Sequence, residues 1–149
     1  MRINKYFRLE EYLDKKTFQT RGWAGSTLLC PRMLYANYEI REYLGDGYLM
    51  VINDWLWKEE DFFEYRAYRP LDYRYGAEYS QHRFGRASDF DIYKSGTRIA
   101  PKDVQEIILD LKKKGSLSAI SAMEVGENWT HIDCRFSRNP SKIMIFRKK

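Results

Sequence analysis

Histidine and cysteine, two residue types that often carry chemistry, are scarce in this sequence, with two copies of each in 149 residues. Cys30 and Cys134 lie far apart and form no C-x-x-C pair. Neither a thiolate metal site nor a disulfide framework is therefore indicated, and we expect both thiols to be reduced. No apolar run approaches the roughly 18 residues that a membrane-spanning helix needs, so we expect no membrane insertion.

An excess of charge of one sign is also lacking. The 26 lysines and arginines slightly outnumber the 21 acidic residues, which gives a net charge of +5. So small an excess favours an anionic partner only weakly. The sequence contains no recognised nucleic-acid-binding motif, and we expect no specific nucleic-acid partner.

Apolar and aromatic residues, in contrast, are abundant. Hydrophobic residues make up 44% of the sequence and aromatic residues make up 16%, which is enough for a packed core. The length fits a single domain over residues 1–149. Apolar residues at helical spacing, with proline at the start and glycine after the end, predict helices over 31–44 and 101–114. A shorter helix is predicted over 8–16.

Short apolar or alternating runs predict the strands of a sheet. They lie at 48–53, 89–93, 117–124, 129–136 and 142–147. Residues 55–79 show little periodicity and predict a long ordered loop, a feature that is usually functional in a compact domain. This order of elements predicts an α+β fold, in which a small, mainly antiparallel sheet is flanked by helices.

Both histidines lie in polar stretches of the sequence. His82 belongs to SQHRFGRASD, and His131 belongs to WTHID. Two imidazoles and one carboxylate, here Asp89, are a sufficient ligand set for a catalytic zinc ion, whose fourth position stays open for water. A lone histidine is more often an ordinary core or surface residue, and the spacing by itself leaves both interpretations open.

The ten residues from Ser80 to Asp89 carry a more specific pattern. Five positions match S-x-H-x-x-G-x-A-x-D, namely Ser80, His82, Gly85, Ala87 and Asp89. The pattern resembles the signature of the M15 family of zinc peptidases. That family includes D-alanyl-D-alanine carboxypeptidases and dipeptidases, the L-alanyl-D-glutamate endopeptidases of bacteriophage lysins, and the related zinc domain of hedgehog proteins.

Two weaker elements extend the resemblance over about residues 47–136. The stretch Trp129-Thr-His131-Ile-Asp133 is similar to the family's second element, an aromatic residue followed by histidine and often aspartate. Ala67-Tyr-Arg69-Pro70 is similar to an arginine-containing stretch that precedes the first element.

The resemblance implies a hedgehog/DD-peptidase-like fold with one Zn²⁺ ion bound by His82, Asp89 and His131. It also implies hydrolysis of peptidoglycan stem peptides, by a carboxypeptidase or an endopeptidase. The amino-terminal segment MRINKYFRLEEYLDKK lacks the apolar core of a signal peptide. We therefore expect a monomeric phage-type lysin or virion-associated enzyme, made in the cytoplasm and active on the wall after release or within a virion. A cytosolic dipeptidase is the other option.

The sequence departs from the family pattern at the general base. Some family members carry Glu or Asp three residues before the second histidine, but this chain has Asn128, whose amide cannot take up a proton. Glu124 and Glu127 remain as candidates for the base. Asn128 also keeps open a different class of function, a non-catalytic zinc-binding structural or wall-binding module of the same fold.

Strand geometry favours Glu124. If residues 125–128 form a four-residue hairpin loop, Glu124 pairs with Trp129 and shares a face with His131, because side chains alternate along a strand. Glu127 would then lie at an exposed turn tip. We predict Glu124 as the base, with Glu127 as the alternative.

Four further side chains have predicted supporting roles. Arg69 can clamp a substrate carboxylate, since a guanidinium pairs with one bidentately, or it can form a surface ion pair. Ser80 can hydrogen-bond the substrate or stabilise a turn. Asp133 shares a face with His131 and can orient a metal ligand or Arg83.

Overall fold

The computed structural model describes residues 1–147. In this range the α-helices are α1 (Lys15–Arg21), α2 (Pro31–Leu44) and α3 (Pro101–Lys113). The strands are β1 (Tyr48–Val51), β2 (Ala87–Lys94), β3 (Thr97–Arg98), β4 (Ala122–Glu124), β5 (Thr130–Asp133) and β6 (Met144–Phe146). Short 3-10 helices cover Leu9–Glu11, Gly22–Leu28 and Gln81–Phe84. These elements confirm the α+β prediction.

The strands form one sheet in the order β1-β2-β5-β4-β6, and β3 pairs with the end of β2. All neighbours are antiparallel except β4 and β6, which are parallel. The register sets Asp89 on β2 opposite His131 on β5, and His131 opposite Glu124 on β4. Because directly paired residues share a face, these three side chains form one row across the sheet.

The two faces of the sheet differ in composition. The Ser88 hydroxyl accepts a hydrogen bond from Asn37 Nδ2 of α2 at 3.1 Å, which identifies the face that the helices cover. Phe90, two residues further along β2, is fully buried on that face in the apolar core. Asp89 and Asp91 must therefore point to the opposite face, since side chains alternate along a strand.

The chain from residue 52 to residue 80 contains no helix or strand, in agreement with the predicted loop over 55–79. This loop lies against the polar face of the sheet. The Arg66 carbonyl accepts a hydrogen bond from the Asp89 amide at 2.6 Å, and the Arg66 guanidinium pairs with Asp91 at 2.7 Å. The loop is thus fixed on the same side of the sheet as Asp89.

The predicted helix over 8–16 is wrong. A 3-10 turn covers Leu9–Glu11, and α1 begins only at Lys15. The Asp14 carboxylate accepts a hydrogen bond from the Thr17 amide at 2.9 Å and so caps α1. The helix therefore starts seven residues later than predicted, and the apolar residues Leu9, Tyr12 and Leu13 are buried outside it.

The predicted strand over 117–124 is too long, because only Ala122–Glu124 join the sheet. Leu117 has a φ angle of 56°, which no strand residue adopts. The Lys112 ammonium donates to the carbonyls of Leu117 and Ile120 at 3.0 and 2.8 Å. These backbone groups therefore find a lysine partner in place of a neighbouring strand.

Candidate metal centre and cleft

The sequence-predicted ligands His82, Asp89 and His131 lie together and are buried. His82 belongs to the 3-10 helix Gln81–Phe84, whereas Asp89 and His131 face each other on β2 and β5. Asp89 Oδ1 lies 2.6 Å from His131 Nδ1. His82 Nε2 lies 3.3 Å from each of these two atoms. The three donor atoms therefore form a small triangle.

Gly85 makes this approach possible. Its φ angle is +60°, and a Cβ at this position would lie 2.1 Å from the Leu28 carbonyl oxygen. Its amide donates to the His82 carbonyl at 3.1 Å and closes the turn. Only glycine tolerates both the left-handed conformation and the close contact, so the glycine of the sequence pattern serves to turn the chain between His82 and Asp89.

Hydrogen bonds fix the orientation of both imidazoles. His82 Nδ1 lies 2.7 Å from the Ala67 carbonyl oxygen, and His131 Nε2 lies 3.4 Å from Asp133 Oδ2. The Ala67 carbonyl assigns the proton of His82 to Nδ1, whereas both ring nitrogens of His131 face a carboxylate. Nε2 of His82 and Nδ1 of His131 thus point toward each other and toward Asp89.

This donor set fits a metal ion. Once a metal ion displaces the proton of His131 Nδ1, two imidazole nitrogens and one carboxylate oxygen converge on one point, and the positive ion offsets the repulsion between their lone pairs. Donor atoms at about 2.0–2.1 Å around a tetrahedral zinc ion lie about 3.3 Å apart. Two of the three separations are 3.3 Å, and the 2.6 Å contact must open. His82, Asp89 and His131 can therefore hold a metal ion.

The pKa values in the cluster show which of its groups are charged. Burial raises the pKa of Asp89, but the charges and hydrogen bonds of His82 and His131 outweigh it and hold the pKa far below the usual range. Burial lowers the pKa of His131, but hydrogen bonds with Asp133 and Asp89 outweigh it and raise the pKa to about 9. Burial raises the pKa of Asp133, yet His131 and Arg135 lower it to about 2. At neutral pH, Asp89 and Asp133 are thus ionised, and protonated His131 lies between them.

The ligand triangle lies in a cleft of about 320 Å³. Besides the ligands, the lining includes Arg69, Tyr79, Ser80, Glu124, Trp129, Arg135 and Phe146. This volume falls at the lower end of the range for sites that bind small ligands, about 300–1,000 Å³. The loop from residue 52 to residue 80 contributes several of these residues.

Glu124 lies on the predicted side of the sheet although the predicted hairpin is wrong. Glu124 pairs with His131, not with Trp129. The connection between the paired residues is therefore longer than the predicted loop at residues 125–128, by two residues. A shift of two preserves the side-chain face, and Glu124 lines the same cleft as His131.

Asn128 and Glu127 lie outside the cleft lining of the described residues. Two hydrogen bonds from Arg98 fix the position of Asn128. Nη1 of Arg98 donates to the Asn128 side-chain oxygen at 3.0 Å, and Nη2 donates to the Asn128 carbonyl. Arg98 itself pairs with Asp91 on β2. The position that carries a base in some relatives of the resembled family is here a structural contact.

The two arginines named from the sequence have different environments. Arg69 lines the cleft, and its Nη2 donates to Asp89 Oδ2 at 2.8 Å, so it orients a ligand carboxylate. The predicted contact between Asp133 and Arg83 is wrong, because the Arg83 guanidinium donates to the carbonyls of Leu71 and Tyr73. Arg83 instead braces the loop.

Arg135 takes the place next to Asp133, and sequence reasoning missed it. Its Nε donates to Asp133 Oδ1 at 2.8 Å. The signal was present, because His131, Asp133 and Arg135 follow at a spacing of two along one strand direction. Ser80 lines the cleft and precedes the His82 turn without capping it through its hydroxyl.

Comparison with known proteins adds no relative. No family model matches the chain, and no curated protein or solved structure matches it. Within residues 1–147, none of the helices has the length and apolar character required to cross a bilayer. Functional inference therefore depends on the site itself.

Proposed function

We propose that this protein is a zinc-dependent peptidase of the M15 type that hydrolyses peptidoglycan stem peptides, as a carboxypeptidase or an endopeptidase. One observation carries the proposal. His82 Nε2, Asp89 Oδ1 and His131 Nδ1 converge within a cleft that Glu124 also lines. This combines a ligand set for one ion with a carboxylate suited to proton transfer.

The donor chemistry supports zinc over calcium or magnesium. Imidazole nitrogens suit zinc, whereas calcium and magnesium prefer sites built of oxygen alone. Three protein ligands leave a fourth position open, as catalytic zinc requires. When bound, zinc polarises a carbonyl and lowers the pKa of water toward about 7.

Glu124 is the proposed general base. Its carboxylate takes a proton from the attacking water as the oxygen–carbon bond forms. It then delivers that proton to the peptide nitrogen as the carbon–nitrogen bond breaks. The register that pairs Glu124 with His131 supports this role, because it directs the carboxylate toward the side where the ligands lie.

Other side chains hold the reacting groups in place. Asp133 keeps the proton of His131 on Nε2 through the 3.4 Å contact, as carboxylates behind ligand histidines do elsewhere. Arg69 orients Asp89, and the rest of its guanidinium is proposed to bind a substrate carboxylate. Ser80, at the cleft wall, is proposed to hydrogen-bond the substrate.

A phage-type lysin or virion-associated enzyme is the proposed setting, with a monomer acting on the wall. The basic surface, with a net charge of +5, suits an anionic wall polymer. A cytosolic dipeptidase would use the same site chemistry on smaller peptides.

The test is digestion of purified peptidoglycan of several chemotypes, with mass spectrometry of the released fragments. We expect zinc-dependent release of stem-peptide fragments whose masses identify the bond that is cut. The His131→Ala variant is the matched control and should release none. Wall that stays intact with every chemotype, while the protein holds zinc, would contradict the peptidase proposal.

That last outcome would support a second function, a non-catalytic zinc-binding structural or wall-binding module. The contact of Asn128 with Arg98 favours it, because the position of the family's base is occupied by a residue that cannot transfer protons. Binding to wall without cleavage would identify this module.

A further inference from the structure

The His131 ring separates two arginine–carboxylate pairs. Its Nδ1 edge faces Asp89, whose other oxygen accepts from Arg69. Its Nε2 edge faces Asp133, which accepts from Arg135. Both arginines line the cleft. The two guanidinium groups therefore reach the cleft from opposite edges of the His131 ring.

The Arg135 guanidinium is held in one orientation. Its Nε lies 2.8 and 3.0 Å from the two Asp133 oxygens, and its Nη2 donates to Oδ2. The Phe146 ring lies below it, with 4.7 Å between the guanidinium carbon and the ring centroid. Among the described residues these contacts use Nε and Nη2, and the side chain keeps 30% of its surface exposed. Nη1 is thus free to bind a ligand at little entropic cost.

Charge in the cleft favours an anionic ligand. With a divalent ion bound, the two guanidinium groups and the ion carry more charge than the three carboxylates Asp89, Asp133 and Glu124. The Nη1 group that remains on each arginine can donate a charge-assisted hydrogen bond to a carboxylate. A substrate with two separated carboxylates would meet one arginine with each of them.

We propose that Arg135 binds a second anionic group of the substrate, so that the preferred stem peptide carries two free carboxylates, one for Arg69 and one for Arg135. This inference rests on the proposed function of the cleft. It assigns Arg135 a role in specificity beyond its contact with Asp133.

The experiment measures peptide binding to zinc-loaded Glu124→Gln protein, which retains the cleft without turnover. The probes are L-Ala-γ-D-Glu-L-Lys-D-Ala, the same peptide with the D-Glu carboxylate amidated, and the same peptide with the terminal carboxylate amidated. We expect each amidation to weaken binding about 10- to 100-fold, because each removes a charge-assisted contact.

Adding Arg135→Gln should abolish the effect of one amidation and preserve the effect of the other. Arg135→Lys should keep zinc and lose part of the discrimination, since a single ammonium cannot pair with both Asp133 oxygens and also present a donor at the position of Nη1. Arg83→Gln is the matched control, because Arg83 contacts the Leu71 and Tyr73 carbonyls, and it should preserve both effects.

Equal binding of the three peptides to protein with Arg135 intact would overturn the inference. So would an Arg135→Gln protein that loses all three peptides equally, which is the result of a purely structural role. If wild-type protein cleaves wall while amidation has no effect, the inference alone fails. If it neither binds these peptides nor cleaves wall, the proposed function fails with it.

Discussion

Adjacent residues of β2 lie in two different environments. Phe90 is fully buried beneath the helices, whereas Asp89 and Asp91, which are 4% and 5% exposed, face the loop from residue 52 to residue 80. Burial is thus nearly equal on the two faces. Apolar contact stabilises one face, and arginine pairing stabilises the other. The partners of a buried residue therefore indicate its role better than its degree of burial does.

Asp89 and Asp91 differ in turn, although both pair with arginines on the same face. Asp89 also meets two imidazoles, whereas Asp91 contacts Arg66 and Arg98 alone among the described residues. One carboxylate belongs to a possible metal site, and the other joins the loop to the sheet. Substitutions on the two faces and at the two aspartates can separate these roles.

The largest effect is expected for Asp89→Ala. Loss of one of three ligands should remove stoichiometric zinc and reduce wall hydrolysis more than about 10³-fold, because Lewis-acid stabilisation contributes several kcal/mol. Zinc content by elemental mass spectrometry and fragment release from wall measure the two effects.

Phe90 provides the control from the covered face. Phe90→Ala should cost about 3–5 kcal/mol of the free energy of unfolding, and the milder Phe90→Leu keeps the protein folded. Denaturant titration measures the loss, and folded Phe90→Leu protein should still bind one zinc. Loss of zinc in that variant would show that the two faces are not independent.

The second largest effect is expected on the hydrolysis rate when the proposed general base, Glu124, is replaced. Glu124→Gln should retain zinc and fold but lower the hydrolysis rate about 10²–10⁴-fold, since the amide cannot accept a proton. Glu127→Gln, which lies outside the cleft lining, should leave the rate nearly unchanged. The opposite result would mean that the β4–β5 connection folds over the metal site.

A smaller effect is expected behind His131. Asp133→Asn should weaken zinc binding about 10- to 100-fold, as loss of a carboxylate behind a ligand histidine does. Asp91→Asn is the matched control, equally buried and also paired with arginine, and should lower stability without changing zinc affinity. Competition with a zinc-binding dye measures both variants. Equal losses of zinc affinity in the two variants would show that Asp133 has no specific role behind His131.

The smallest expected effect is a change of stability with pH that depends on Glu11. Glu11 and Asp89 are both buried, but the pKa of Glu11 is raised whereas that of Asp89 is lowered. Burial raises the pKa of Glu11 from 4.5 to about 7, against opposing effects of Arg8. Between these values the folded protein binds more protons than the unfolded chain. The contribution of Glu11 to stability is therefore complete below about pH 4.5 and is lost as the pH rises through about 7.

Glu11→Gln isolates this contribution. From pH 5 to pH 8, wild-type protein should lose about 1–3 kcal/mol of stability relative to the variant. Urea titrations of both proteins at the two pH values measure the difference. A difference that stays constant, or that grows in the other direction, would refute the raised pKa.

The sequence predicted the helices with clear boundaries and the residues of the ligand triangle. Proline and glycine delimit α2 and α3, so their extents agree with 31–44 and 101–114 within a residue. The pattern from Ser80 to Asp89 identified two members of the cluster that can hold a metal ion, because one turn, closed by Gly85, brings His82 and Asp89 together. These are local features, and local sequence is sufficient to predict them.

Features that depend on distant partners were not predicted. Strand β4 is shorter than predicted because Lys112 binds the carbonyl groups that precede it. The β4–β5 connection is longer than predicted, so Glu124 pairs with His131 in place of Trp129. Arg135, and not Arg83, contacts Asp133, because the loop draws Arg83 to the carbonyls of Leu71 and Tyr73. Only the folded chain determines such partners.

The most direct test of the central claim is the zinc stoichiometry of wild-type protein and of His131→Ala under competition with a chelator. We predict one tightly bound zinc per wild-type chain and no tightly bound zinc in the variant. A wild-type protein without tight zinc, or a His131→Ala protein that retains one tight equivalent, would contradict the assignment of His82, Asp89 and His131 as the metal site.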